Sequence, residues 1–288
     1  MPGAVLPPAF LVPERSSALT KHTVAVLGTG KMGELVLSGL LRSGWPADRL
    51  LATARRPARG AELAEKYGVA VVGNAEAAER AGILAVGVKP QDAGTLLGEI
   101  GPRVTADRLV VSLCAGLPTT FFAARLPEGT PVVRVMTNTP ALVGQAMSAI
   151  SAGVHATAEH VALAEELFRP LGSTVVLPEY QQDAVTALSG SGPAYFYLLA
   201  EAMIDAGVLL GLPRQVAHAL IVQTAAGSAA MLRDSGEHPV KLREAVTSPA
   251  GTTIAAIREL ENHGVRAALL DALEAARDRA REIANQAI

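Results

Sequence analysis

The fold is decided by the stretch Thr23–Gly33, which reads T-V-A-V-L-G-T-G-K-M-G. Its first five residues, 23–27, are apolar or β-branched, as expected for a strand that is buried on both faces of a parallel sheet. Glycines follow at once at positions 28, 30 and 33, and a helical pattern begins at Lys31. In a dinucleotide-binding turn these glycines serve the tight turn, the close approach of the pyrophosphate and the packing of the helix, respectively. The stretch therefore predicts a dinucleotide site at the first β-α turn.

Short apolar runs continue to alternate with helical patterns after this stretch. Further strands are predicted at residues 50–54, 69–72, 83–88, 109–113, 131–136, about 146–151 and 173–177. Helical patterns such as Lys31–Arg42, Ala58–Tyr67 and Ala158–Phe168 separate them. Repeated β-α units predict an α/β fold with a mainly parallel, doubly wound (Rossmann) sheet.

The strand pattern stops after Pro178, and an all-α C-terminal domain is predicted from there. Pro213, Pro239 and Pro249 each stand where a helix would begin, because proline is tolerated in the first helical turn. We therefore divide the chain into a dinucleotide-binding domain at 23–177 and a helical domain at 178–288. Residues 1–22 contain four prolines and little periodicity, which predicts a disordered extension and not a signal peptide.

Composition excludes several classes of protein. Among the 288 residues, 25 Lys and Arg stand against 27 Asp and Glu, so the chain has no basic surface for nucleic acid or an anionic membrane. No apolar run is long enough for a membrane-spanning helix. The single cysteine, Cys114, fits a reducing compartment, and we expect a cytoplasmic protein. The six histidines show no metal-ligand spacing, so no metal site is predicted.

The end of the second predicted strand favours NADPH as the cofactor, with NADH possible. An NAD site usually has an acidic residue at this place, to bind the ribose hydroxyls. Here the chain reads T-A-R-R-P, so Arg55 and Arg56 could instead bind a 2′-phosphate. The alternative is that both arginines are solvated loop residues. Lys89, where the fourth strand ends, is likewise either a cofactor contact or a solvated side chain.

Two hydroxyl-rich motifs stand out in the helical region. They are A-L-S-G-S-G-P-A-Y at 187–195 and V-T-S-P-A-G-T-T at 246–253. Each places Ser or Thr and Gly around a proline that would begin a helix. A helix start has free N–H groups and the positive end of the helix dipole, which suits a carboxylate. The alternative is that both motifs are only helix caps and turns.

These motifs, together with the glycine loop, V-K-P at 88–90 and M-T-N-T-P at 136–140, resemble those of pyrroline-5-carboxylate reductases. The resemblance extends from about Thr23 to near the C-terminus. It implies the last step of proline synthesis, in which NAD(P)H donates a hydride to the C=N carbon of a cyclic imine. It also implies a homodimer or larger ring built on the helical domain, with the active site between two chains.

The resemblance assigns site residues by motif. For the cofactor it implies Gly28, Thr29, Gly30, Lys31 and Met32 at the pyrophosphate, Asn74 with the 54–56 turn at the adenosine end, and Val88, Lys89 and Pro90 along the cofactor. For the substrate it implies Val246, Ser248, Gly251, Thr252 and Thr253, with the Thr253 hydroxyl near the ring nitrogen as the catalytic group. Similar proteins have Gly where this chain has Ala250, which affects the geometry of that turn.

Two other functions stay open. A related two-domain reductase acting on another imine or a hydroxy acid would be expected to present a lysine as proton donor in the helical domain, and neither hydroxyl-rich motif contains one. A binding protein that senses NADPH without turnover would keep the glycine loop. It would not need hydroxyls at both helix starts.

Overall fold

A single eight-stranded sheet forms the first half of the chain in this computed structural model, which describes residues 22–287. The strands are β1 (Val24–Leu27), β2 (Leu50–Ala52), β3 (Ala70–Val71), β4 (Ile83–Val86), β5 (Leu109–Ser112), β6 (Val132–Met136), β7 (Ala146–Ala152) and β8 (Gly172–Val176). Their order in the sheet is β3-β2-β1-β4-β5-β6-β7-β8, and only the β6-β7 pair is antiparallel. The predicted extension at residues 1–22 lies, except for His22, outside the described residues.

Helices cover both faces of this sheet, as a doubly wound fold requires. They are α1 (Lys31–Arg42), α2 (Pro57–Tyr67), α3 (Asn74–Arg80), α4 (Pro90–Ile100), α5 (Thr119–Ala123) and α6 (Ala158–Phe168). In β1, Val24 and Val26 point into the core under α1 and α6, while Ala25 and Leu27 point into the core under α3, α4 and α5. All four side chains are buried. The predicted fold class and all eight predicted strands are confirmed, with ends that shift by one or two residues.

The chain after β8 is helical throughout, and we call it the helical half. Its elements are α7 (Gln182–Val185), a π-helical turn (Thr186–Gly190), α8 (Gly192–Leu209), α9 (Arg214–Asp234), α10 (Pro239–Ala245), α11 (Thr252–Asn262) and α12 (Val265–Ala287). α8 packs against α9, and α12 packs back on α7 and the π-helical turn. None of the described helices is long and apolar enough to cross a membrane.

Large apolar side chains of the helical half are exposed in the single chain. They include Phe196, Tyr197, Leu198, Leu199, Leu209, Leu210, Leu220, Met231 and Leu232. By contrast, Ala217 is the one residue of α9 that is buried, and α11 has no buried residue. Exposed apolar side chains in this number indicate an interaction site in a protein that is otherwise well packed.

The predicted helix starts at proline are right at two positions and wrong at a third. α10 begins at Pro239, and α9 begins directly after Pro213. Pro249, however, lies in a turn, and α11 begins only at Thr252. The reason is the backbone of Ala250, whose φ of +57° is in the left-handed region and interrupts any helix at that point.

The first hydroxyl-rich motif also differs from the expected open helix start. α8 does begin beside Pro193, but α7 and the π-helical turn lead directly into it. The N–H of Ser191 donates to the carbonyl of Thr186 at 2.9 Å, so this amide is already bonded within the chain. The wider π-helical turn carries the chain up to a proline whose ring would collide with an ordinary preceding helical turn.

Candidate active site

The glycine loop lies where the carboxyl ends of β1, β2 and β4 meet. Gly28 has a φ of +81°, and a Cβ built on it would lie 2.3 Å from Cγ1 of Val88. Its N–H donates to the Thr53 hydroxyl at 3.0 Å, and the N–H of Thr29 donates to the Thr53 carbonyl at 3.0 Å. The end of β2 thus holds the loop in place. This role of Thr53 was not predicted from the sequence, because no local pattern reveals a contact between residues that are 25 positions apart.

Gly30 is the position that indicates a ligand. A Cβ built on Gly30 would find no atom within 4 Å, so the protein itself does not require glycine there. A Cβ on Gly33, by contrast, would lie 2.6 Å from the carbonyl oxygen of Gly28. Beside the open space at Gly30, Lys31 and Met32 occupy the first turn of α1, where amides have no preceding helical carbonyl to bond. This cradle fits the pyrophosphate of a dinucleotide.

The two arginines after β2 are exposed. The Arg55 side chain is 89% exposed, and its only ion pair among the described residues is a long one, 4.0 Å from Asp92. Arg56 directly precedes α2. Because the end of β2 offers no carboxylate, both guanidinium groups are available to an anion beside the ribose of a dinucleotide. This arrangement is compatible with the predicted 2′-phosphate contact and does not test it.

The other predicted cofactor residues lie along the same edge of the sheet. Asn74 begins α3, and its Nδ2 donates to Oε2 of Glu99 at 2.9 Å. This hydrogen bond does not use the Oδ1 of Asn74. Val88 lies against the glycine loop, and Lys89 and Pro90 form the start of α4 with the lysine exposed. The structure therefore brings all the predicted cofactor residues to the carboxyl edge, where doubly wound sheets bind their ligands.

Cys114 lies beneath this edge and is not a nucleophile. It is 2% exposed, and its thiol donates to the Val88 carbonyl at 3.4 Å. Burial raises the pKa of the Cys114 thiol to about 12, although a hydrogen bond from Ser112 and the charge of Arg134 oppose the shift. The thiol stays protonated at neutral pH. Cys114 is therefore a small buried residue near the cleft.

The carboxyl end of β6 contacts the first hydroxyl-rich motif. Nδ2 of Asn138 donates to the carbonyl of Ser189 at 3.1 Å and to its hydroxyl at 3.2 Å. A Cβ built on Gly190 would lie 2.2 Å from Cε of Met136, so this glycine admits the methionine. The sequence showed both motifs but not that Asn138 and Ser189 bind each other, because they are 51 positions apart.

The second hydroxyl-rich motif forms an open helix start, at Thr252 and not at Pro249 as predicted. Gly251 precedes α11 with extended backbone, and its N–H donates to the Ser248 carbonyl at 3.1 Å. Thr252 is exposed and Thr253 half-buried in the first turn, while Val246 and Ser248 are exposed beside it. α11 packs on α12. Among the described residues, no hydrogen bond or ion pair joins this helix start to the glycine loop.

The described part of the chain contains no group of three or more His, Cys, Asp or Glu side chains that could hold a metal ion. The candidate site therefore consists of two separate parts. One is the cradle around Gly30 at the edge of the sheet. The other is the hydroxyl-bearing start of α11 in the helical half.

Comparisons with known proteins match both halves. The family described as pyrroline-5-carboxylate reductase dimerisation matches residues 179–283, and the family described as NADP oxidoreductase, coenzyme F420-dependent, matches residues 23–116. The pyrroline-5-carboxylate reductase of Mycobacterium tuberculosis is 42% identical, with 90% of this chain and 96% of the relative covered.

Solved structures give the same result. The pyrroline-5-carboxylate reductase of Coxiella burnetii superposes with a TM-score of 0.85 at 33% identity and covers 91% of this chain and 98% of its own. The pyrroline carboxylate reductase of Plasmodium falciparum, solved with NADP bound, has a TM-score of 0.84 at 27% identity, with 92% and 99% covered.

Proposed function

The chain belongs to the pyrroline-5-carboxylate reductase family, and we propose that it transfers a hydride from NADPH to the C=N carbon of 1-pyrroline-5-carboxylate, giving L-proline. The observation that carries this proposal is the open space at Gly30 beside the first turn of α1. A glycine that no protein atom requires is explained by a ligand that must approach the backbone. The bound cofactor would supply the hydride, so the protein needs to bind, orient and exclude water.

The cofactor residues follow from the loop and the sheet edge. Gly28, Thr29 and Gly30, with the amides of Lys31 and Met32, would hold the pyrophosphate. Along the edge, Arg55, Arg56 and Asn74 would bind the adenosine end, and Val88, Lys89 and Pro90 would line the rest of the cofactor. NADPH is favoured over NADH because guanidinium groups stand where an NAD site has a carboxylate.

The substrate residues are those of the second hydroxyl-rich motif, namely Val246, Ser248, Gly251, Thr252 and Thr253. We propose that the first-turn amides of α11 bind the substrate carboxylate, because a helix start attracts anions. The Thr253 hydroxyl would orient the ring nitrogen. No histidine-carboxylate pair is needed, since a protonated imine already accepts hydride.

Dimerisation through the helical half would complete the site. Exposed apolar residues such as Phe196, Leu199 and Leu220 would be covered by a second copy, and the match of residues 179–283 to a dimerisation family supports this. The start of α11 from one copy would then face the cradle around Gly30 of the other. Further assembly of dimers into a ring is compatible with this arrangement.

The domain limits and the compartment are also proposals. We divide the chain into a dinucleotide-binding domain at 23–177 and a substrate-binding and dimerisation domain at 178–288, because the last strand ends at Val176. A cytoplasmic location is supported by the single buried cysteine, Cys114, since reducing compartments are where free thiols persist.

The proposal is tested by mixing the purified chain with 1-pyrroline-5-carboxylate and NADPH. Absorbance of NADPH should fall, and proline should appear in equal amount. Binding of NADPH without turnover would favour a cofactor-sensing protein. Turnover only with another cyclic imine or a hydroxy acid would favour a related reductase of a different specificity.

A further inference from the structure

A charged cluster around one buried arginine joins the sheet to the helical half. Arg134, in the middle of β6, has a side chain only 6% exposed. Its Nη1 lies 3.6 Å from Oε1 of Glu179, and its Nη2 lies 3.6 Å from Oδ1 of Asp183. Both carboxylates belong to the segment that leads from the sheet into the helical half. The Arg134 guanidinium group of the sheet thus lies against two acidic residues of the segment that leads into the helical half.

The two acids extend the cluster to other elements. The Glu179 carboxylate accepts from both the N–H and the hydroxyl of Thr119 at 2.7 Å, at the start of α5. Asp183 is also 3.7 Å from Nε of Arg281 on α12. We call Arg134, Glu179, Asp183, Arg281 and Thr119 the charged junction. It connects β6, α5, α7 and α12 at one place.

Neutral polar contacts hold α7 beside the charged junction. Gln182 is fully buried, and its Nε2 donates to the Ser151 hydroxyl at 2.8 Å and to the Ala149 carbonyl at 3.2 Å on β7. Buried charges are costly compared with an apolar contact of the same size, but they specify one relative orientation. A junction built this way favours accurate placement over maximal stability.

The charged junction lies next to the contact between the two halves of the site. From Arg134, β6 continues to Met136, and the chain reaches Asn138 just beyond it. From Asp183, α7 continues into the π-helical turn that carries Ser189. Asn138 and Ser189 bind each other, so both chain segments run from the charged junction to one shared contact. Moving the acids relative to Arg134 would move this contact as well.

We propose that Arg134 is a positioning residue for hydride transfer. By holding Glu179 and Asp183, it fixes the π-helical turn against the carboxyl end of β6 and thereby sets the orientation of the helical half, and with it the position at which α11 of a second copy would face the cradle around Gly30. The proposal rests on the proposed function, because it concerns the geometry of that reaction. Hydride transfer is sensitive to such placement, since an error of about 1 Å costs roughly a hundredfold in rate.

The test uses Asp183→Asn, which keeps the shape of the side chain but removes one charge that faces Arg134. The hydride-transfer rate, followed by stopped-flow absorbance of NADPH in a single turnover, should fall at least tenfold. The Kd for NADPH should change less than twofold. Arg134→Lys keeps the positive charge, but its single ammonium group cannot span both acids, so the hydride-transfer rate should fall in this variant too. Glu79→Gln, which breaks the exposed ion pair with Arg103 inside the sheet half, is the matched control and should transfer hydride at the normal rate.

Hydrogen exchange provides a readout that does not depend on activity. In Asp183→Asn, amides of residues 182–191 should exchange faster, while those of β1 and β4 should not change. Normal hydride transfer in Asp183→Asn, or an equal loss of NADPH binding and turnover, would overturn the positioning role. If the unmodified chain does not reduce pyrroline-5-carboxylate, the proposed function fails. Even then, unchanged hydrogen exchange at residues 182–191 would overturn the structural role of the charged junction.

Discussion

Ala250 has the only left-handed backbone of any non-glycine residue that the structure describes, with a φ of +57°. It shapes the turn in which Pro249 stands and sets the start of α11 at Thr252. A Cβ in this conformation costs about 1–2 kcal/mol. The turn therefore has this geometry at some expense in stability.

We predict that Ala250→Gly raises the free energy of unfolding by about 0.5–1 kcal/mol, because the relieved strain exceeds the added chain entropy of glycine. Denaturant unfolding measures this change. Gly264→Ala is the reciprocal control, since Gly264 has a φ of +66° and free space around its Cβ position, and it should lose stability. If Ala250→Gly is no more stable than the unmodified chain, the backbone of Ala250 is not strained.

Thr253 carries the proposed contact with the ring nitrogen. Thr253→Val keeps the volume and removes the hydroxyl, so kcat/KM for pyrroline-5-carboxylate should fall by about 1.5–3 kcal/mol, or roughly ten- to a hundredfold. The Kd for NADPH should hardly change. Steady-state kinetics and a fluorescence titration measure the two effects. Normal turnover would show that the start of α11 is only a helix cap.

Glu34, in the first turn of α1, makes stability depend on pH. Burial opposes its ionisation, but hydrogen bonds from Tyr67, Lys66 and Arg59 outweigh burial and lower its pKa from 4.5 to about 2. A lowered pKa in the folded state stabilises the protein above pH 4.5, and this contribution is lost as pH falls towards 2.

Glu34→Gln should accordingly cost on the order of 2–3 kcal/mol at pH 7. The difference from the unmodified chain should shrink between pH 4.5 and pH 2. Urea unfolding at several pH values checks this. A difference that stays constant with pH would mean that the substitution acts through packing and not through the charge.

At the scale of elements, the turn between β2 and α2 should set the choice of cofactor. Replacing Arg55 and Arg56 together by Ala should lower the NADPH-to-NADH ratio of specificity constants at least tenfold, because two charges next to the 2′-phosphate are lost. Use of NADH should be spared. The ratio from parallel steady-state assays is the measurement, and an unchanged ratio would mean that the 2′-phosphate binds elsewhere.

Elements whose signal is local were predictable from the sequence. β1 and β4 are continuous apolar runs buried on both faces, and the glycine loop follows β1 directly, so their pattern alone identifies them. The π-helical turn was not predicted, because the proline and glycines of the first hydroxyl-rich motif indicate a break in the helix. In the folded chain, α12 packs on the turn and keeps it helical.

The contacts between elements were not predictable. Arg134 stands in an otherwise apolar strand, and its partners Glu179 and Asp183 lie more than forty positions away. Thr53 at the glycine loop and Asn138 at Ser189 are similar cases. A single sequence carries no local pattern for such pairs, since only the folded sheet brings them together.

In the part of the whole molecule that the structure describes, no hydrogen bond or ion pair joins the two parts of the proposed site. The cradle around Gly30 lies on the sheet, whereas the start of α11 lies in a helical half whose apolar residues are exposed. Both observations have one explanation, a second copy that covers the apolar surface and supplies the missing part. We therefore propose a reductase whose site is shared between two chains.

Complementation between two impaired variants is the most direct test of a shared site. Gly30→Leu adds a side chain from a position whose Cβ would meet no protein atom within 4 Å, into the space that the pyrophosphate would use, and Thr253→Val removes the hydroxyl proposed to contact the substrate. After co-refolding of an equal mixture, half of the dimers are mixed, and each mixed dimer has one site with neither substitution. We expect recovery of about a quarter of the unmodified activity towards pyrroline-5-carboxylate, since random pairing restores one site in four. Activity no higher than the average of the two variants alone would place the whole site within one chain and contradict a site shared between two chains.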